Sequence, residues 1–111
     1  MATVKMMQGD SYFVFFDLLQ DGTELTPSLI ADVEVSVGEN LRYQYSAGTV
    51  GYDTVSRQWY FRPSQAETLA AEVDQYTVIA RVKYANHINA DVRGVNIGRI
   101  SIEEGLSEEV I

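Results

Sequence analysis

The chain is expected to fold as an all-β protein, an antiparallel Ig-like β-sandwich of about seven strands with at most one short helix. Three observations point there. Apolar and polar residues alternate strictly in "DVEVSV" (32–37) and again from Tyr76 to Tyr84, as half-buried strands require. An Asp-Gly pair, Asp21-Gly22, stands between strand-like stretches and marks a tight hairpin. Turn residues also recur at roughly 8–12-residue spacing, the rhythm of sandwiches and small barrels.

Taken in order, Gly9-Asp10 separates "TVKMM" from the apolar run 12–18, both rich in strand-forming residues. In that run Tyr12, Val14, Phe16 and Leu18 are expected to face the core, with Phe13, Phe15 and Leu19 on the opposite side. Val33, Val35 and Val37 share one face of the next long strand, opposite Asp32, Glu34 and Ser36. Gly38-Glu39-Asn40 then turns the chain into "LRYQYS", where Leu41, Tyr43 and Tyr45 align. A reversal near residues 53–56 leads to "QWYFR", a strand apolar on both sides, so Trp59 is expected to be buried.

Ser64 followed three residues later by Glu67 has the capping-box spacing and predicts a short helix over 65–72. Strand alternation returns in "QYTVIARVKYA", and "DVRGVNIGRISIE" closes the fold. There Val95 and Ile97 have opposite parity to Ile100 and Ile102, and a bulge near Gly98 would bring both pairs to one face. Residues 1–106 form the sandwich domain, and 107–111 an acidic and apolar tail.

The 111 residues suit one domain, and such a chain buries roughly 65% of its unfolded surface without help from disulfides or metal. Seven tyrosines, four phenylalanines and one tryptophan furnish a core, and cysteine is absent, which removes thiolate chemistry. Sixteen acids against eight bases give a net charge of -8, which repels phosphate backbones and argues against nucleic acid as a partner. The apolar opening run falls short of the about 20 residues a bilayer demands and is broken by Asp10 and Asp17, so neither membrane anchor nor signal peptide is expected.

No catalytic, cofactor or metal site is expected. His87, the single histidine, lies in a polar loop with only Asp91 near. Glu103-Glu104 and Glu108-Glu109 lack the alternating ligand spacing of a calcium loop. No serine sits in a Gly-x-Ser-x-Gly context, and no glycine run is followed by the lysine and helix of a phosphate loop. Two non-enzymatic roles remain. The tyrosines, with Trp59 and Tyr60 beside them, could make a carbohydrate-binding platform. Alternatively, apolar groups outside the core could make protein contacts. The candidate interface residues are Met6, Phe13, Phe15, Leu106, Val110 and Ile111, with "TVKMMQ" as an edge strand able to template pairing. The competing expectation is that Phe13 and Phe15 pack beneath the chain's own 25–30 connection.

Two long stretches, "QGDSYFVFFDLLQDGTELTPSLIADVEVSVG" and "DQYTVIARVKYAN…VRGVNIGRISIEEGL", carry a resemblance. They resemble the small β-sandwich proteins encoded in prophages of Gram-positive gut bacteria and the N-terminal domains of phage baseplate upper proteins. The shared pattern is a Gly-Asp turn, an apolar strand, an Asp-Gly hairpin, a Leu-Thr-Pro start and a Tyr-x-Val-x-x-Arg-Val-Lys strand before a closing Gly-x-Ile-x-Ile strand. The resemblance implies a structural component of a tail- or baseplate-type particle, without cofactor. Its partners would be itself, as a homo-oligomer, and other phage structural proteins. It would be assembled in the bacterial host cytoplasm and carried in the virion. Baseplate upper proteins continue into a long receptor-binding assembly. With this chain stopping at Ile111, a separate virion component is expected rather than a receptor binder.

Overall fold

Alternation in the sequence becomes burial in the structure, a computed structural model that describes residues 3–85, 91–105 and 109–111. Ten strands are assigned among these residues: β1 (Thr3–Met7), β2 (Val14–Phe16), β3 (Leu19–Gln20), β4 (Thr23–Glu24), β5 (Ile30–Val37), β6 (Leu41–Gln44), β7 (Val50–Asp53), β8 (Gln58–Phe61), β9 (Asp74–Tyr84) and β10 (Val92–Glu103). One short helix, α1 (Gln65–Ala70), lies between β8 and β9. A five-stranded sheet runs in the order β1-β10-β9-β5-β6, a three-stranded sheet in the order β2-β8-β7, and β3 pairs with β4 alone.

The two larger sheets share one core, so the fold is an all-β sandwich. Val33, Val35 and Val37 of β5 and Val78, Ala80 and Val82 of β9 line one side. Val14, Phe16, Trp59 and Phe61 line the other. Tyr43 of β6 stacks on Phe61 of β8 with ring centroids 5.0 Å apart, joining the layers directly. The strand count exceeds seven because the apolar opening run breaks into β2 and the two-residue β3, and because the hairpin arm β4 counts separately.

Local chemistry explains the turns. Asp21 and Gly22 both take positive φ, 51° and 81°, the combination a two-residue type I′ hairpin needs. Asp53 closes the β7–β8 turn by accepting from the Val55 N–H at 3.0 Å and the Ser56 hydroxyl at 2.8 Å, and these bonds hold its carboxyl below the usual range. The capping box forms as expected: the Ser64 hydroxyl accepts from the Glu67 N–H at 3.1 Å, and Glu67 Oε1 accepts from the Ser64 N–H at 2.9 Å. α1 stops two residues short of the predicted 72, because Ala71 is already extended and its carbonyl accepts from Gln8 Nε2 at 2.8 Å. The β9–β10 register shifts between Asn96 and Gly98, and this bulge puts Ile97, Ile100 and Ile102 together in the core with Val95 half-buried.

Three expectations are corrected. Tyr12 is 39% exposed rather than inward, because β2 begins only at Val14; its hydroxyl instead donates to the Lys5 carbonyl at 2.7 Å. The sheets are not wholly antiparallel, since β1 lies parallel to β10. The chain leaves β1 for the other sheet, so β1's neighbour comes from the far end of the sequence. Met6 is 1% exposed and belongs to the core, because it pairs with Ile102 and shares its inward face. The outer edge of β1 is also covered by its own chain: Met7 N–H donates to Asp10 Oδ2, Met7 C=O accepts from Asp10 N–H, and Lys5 C=O accepts from Tyr12. Edge strands that template association present such groups unpaired. Here β1 is the sheet's edge strand, and three of those groups, towards its C-terminal end, are satisfied within the chain.

Two polar side chains hold connections in place. Thr68, 1% exposed, accepts from the Gly9 N–H at 3.0 Å and donates to the Asp10 carbonyl at 2.8 Å, pinning α1 to the β1–β2 crossover. Thr68→Val keeps the shape but leaves both backbone groups without that partner. It is expected to cost about 2–3 kcal/mol in urea unfolding, whereas a change below about 0.5 would show that the bonds contribute nothing net. Asp32 gathers the Val33 N–H, the Ser46 N–H and hydroxyl, and Gln44 Nε2 at 2.6–3.0 Å. Partial burial works to raise its pKa, but these hydrogen bonds outweigh burial and lower it. A depressed carboxyl stabilises the fold above its unfolded pKa and loses that contribution as pH falls through the folded one. Asp32→Ala is therefore expected to cost about 1–2 kcal/mol at pH 7, with the gap from wild type narrowing below about pH 4. A gap independent of pH would assign the loss to packing alone.

Candidate functional site

The outer face of the three-stranded sheet carries a cluster of touching aromatic rings, two of them exposed and the third half-buried. Strand parity builds it. Val14 and Phe16 point inward from β2, so Phe15 points outward, with Phe13 before it and Asp17 after it on the same side. Trp59 and Phe61 point inward from β8, leaving Gln58 and Tyr60 outward and Arg62 next in line. Phe15 and Tyr60 are cross-strand partners, and on the far side of Tyr60 stands Gly51 of β7.

The three rings form one cluster. Ring centroids lie 5.7 Å apart for Phe15–Tyr60, 5.3 Å for Phe13–Tyr60 and 6.4 Å for Phe13–Phe15. Phe13 is 50% exposed and Phe15 42%, so their surfaces remain in water despite these contacts. The ends of the face differ in charge. At one end the Arg62 guanidinium lies 5.1 Å from the Phe13 ring centroid and donates from Nε to the Ser11 hydroxyl at 3.1 Å. At the other end Gln58 Nε2 donates to Asp17 Oδ1 at 3.3 Å, and Asp53 stands opposite Gln58 in the ladder. A hollow of 300 Å³ opens beside the rings, bounded also by Asp53 and Thr54.

Gly51 lets the cluster form. A Cβ there would come within 2.4 Å of Cζ and Oη of Tyr60, so the tyrosine ring lies across bare backbone. Gly51→Ala is expected to push Tyr60 away from Phe13 and Phe15 while leaving the core side of the sheet intact. Stability should change by less than about 1 kcal/mol, since Tyr60 is a surface ring free to shift. An unchanged Tyr60 ring environment by NMR would contradict this account of the glycine.

The candidate interface residues divide. Phe13 and Phe15 come together, open to solvent rather than beneath the 25–30 connection, where Leu25 and Ile30 are buried against the core. Met6 is internal. Val110 and Ile111 are exposed, and the Ile111 N–H donates to Gln65 Oε1 at 3.0 Å, which sets the chain end beside α1. Leu106 and His87 lie outside the described residues. Sequence reasoning placed Tyr60 only in a possible sugar platform and missed its contact with Phe13 and Phe15, together with Arg62 and Gly51, although the even parity of residue 60 between Trp59 and Phe61 was a usable signal.

Among the described residues no three His, Cys, Asp or Glu side chains are grouped to hold a metal ion, and no helix is long and apolar enough to cross a membrane. Comparison of the chain with protein-family models, curated proteins and solved structures found no match.

Proposed function

We propose that this chain is a non-enzymatic structural module that docks through the outer face of β2, β8 and β7, its first partner being a second copy of itself. The observation that carries the reading is the layout of that face. Aromatic groups occupy the centre, Arg62 one end, and Asp17 with Asp53 the other. A two-fold axis through the Phe15–Tyr60 pair sets each copy's arginine against the other's carboxylates and ring against ring. Such self-complementarity is what an isologous dimer needs.

Magnitudes agree with a central contact. A phenylalanine buries about 150–250 Å² when fully covered, so the exposed halves of Phe13 and Phe15 offer about 200 Å² per copy. Covering both copies gives about 10 kcal/mol gross at 25 cal/mol per Å², before the cost of association. Stable interfaces bury about 1,200 Å² or more in total. The aromatics therefore form the centre and the charged ends the rim.

The resemblance to baseplate upper-protein N-terminal domains supplies the setting. The module would be a component of a tail- or baseplate-type phage particle, made in the bacterial cytoplasm and joined to other particle proteins. A carbohydrate-binding role is favoured only by the 300 Å³ hollow beside Tyr60, Asp53 and Thr54. Against it, the rings are tilted by 52° to 84° from one another, and Arg62 occupies the Phe13 face. A sugar ring stacks on an open, flat aromatic face. Light scattering across a concentration series tests the proposal. A mass rising above the 12.4 kDa of one chain is expected, and a constant 12.4 kDa at all concentrations would contradict self-pairing.

A further inference from the structure

A second site lies away from the aromatic face. Between α1 and the end of the five-stranded sheet is a cavity of 640 Å³, within the range of small-molecule sites. Val37, Leu41 and Ile102 give it an apolar floor, while three acidic residues, Glu67, Glu72 and Asp74, stand along its wall. No lysine or arginine lines it, and none of the three acids joins an ion pair among the described residues.

The polar wall is held rather than loose. Glu67 Oε1 accepts from the Ser64 N–H at 2.9 Å and from the Tyr43 hydroxyl at 3.1 Å, which fixes that side chain at the edge of α1. Burial, reinforced by the adjacent Glu67 charge, raises the Tyr43 pKa, so this phenol stays protonated and remains the donor. Tyr76 braces the opposite side: its hydroxyl donates to the Glu72 carbonyl at 2.6 Å, and its ring lies so close to Gly38 that a Cβ there would meet Cδ1 at 2.7 Å. Apolar floor, fixed carboxylate and absent basic groups together exclude an anion and leave a neutral polar ligand poorly matched.

We propose that this cavity binds an organic cation: a primary ammonium or guanidinium on a short apolar stem, free in solution or as a lysine or arginine side chain of a partner segment. The stem covers Val37, Leu41 and Ile102, and the charge sits among Glu67, Glu72 and Asp74. This site is independent of the self-docking face.

The test is NMR of the full chain titrated with n-hexylammonium, with the capped tripeptide acetyl-Leu-Lys-Leu-amide, and with hexanoate. Saturable shifts of the Ala66, Ala70 and Ala71 methyl signals are expected with at least one of the two cations and not with hexanoate. Tighter binding of the tripeptide would assign a protein segment, and tighter binding of hexylammonium a free amine. Glu72→Gln combined with Asp74→Asn should weaken the cation by about tenfold without unfolding, since both residues are exposed. Ala70→Leu should compete with the stem in the cavity. Equal shifts with hexanoate, no saturation with either cation, or binding insensitive to the double neutral variant would each overturn the assignment.

Discussion

Trp59→Ala is expected to lower the unfolding free energy by about 3–5 kcal/mol, the usual cost of emptying a large aromatic site in a core. The indole is 1% exposed and takes edge-on contacts from Tyr45 and Tyr52 at ring-centroid distances of 5.3 and 5.1 Å. Its Nε1–H donates to the Leu25 carbonyl at 2.8 Å, tying β8 to the connection that leads toward β5. Truncation therefore removes packing and a buried hydrogen bond together. A domain of this size has about 5–15 kcal/mol in total, so the variant should sit near the edge of stability. Trp59→Phe separates the terms: it retains most of the ring but leaves the Leu25 carbonyl without its donor, and should cost about 1–3 kcal/mol. A loss below about 1 kcal/mol for Trp59→Ala, or native fluorescence typical of a water-exposed indole, would contradict the burial.

Much of the fold was legible because its signals are local. Asp21-Gly22 carries its own backbone requirement, the valines of β5 and β9 alternate without interruption, and Ser64 with Glu67 completes a cap within four residues. The Gly98 bulge was readable because four apolar residues of β10 make sense on one face only if the register slips once. What failed depends on distant partners. Nothing in "TVKMM" says that it will lie parallel to β10, and without that pairing Met6 reads as an edge residue rather than as core. Nor does parity show which neighbour shares a surface. Phe13 and Phe15 could be recognised as surplus apolar groups, but their partner Tyr60 lies 45 positions beyond Phe15, and only the β2–β8 ladder joins them. The same applies to the α1 cavity, whose lining comes from β5, β6, α1, β9 and β10.

The central claim is that the Phe13–Phe15–Tyr60 face is buried when copies of the chain meet. Both phenylalanines are already about half exposed, so replacing them with glutamate should leave the fold intact, with unfolding free energy within about 1–2 kcal/mol of wild type. In a two-fold contact the same change places four like-charged carboxylates at the centre of the interface, with only one arginine from each copy nearby. Burying an unpaired charge costs several kcal/mol each, more than the aromatic contact returns. Sedimentation equilibrium of Phe13→Glu/Phe15→Glu beside wild type is the most direct measurement. The account predicts a folded variant at the single-chain mass of 12.4 kDa under conditions where the wild type is heavier. A folded variant that keeps the wild-type assembly mass, or a wild type that is itself a single chain at every concentration, would contradict it.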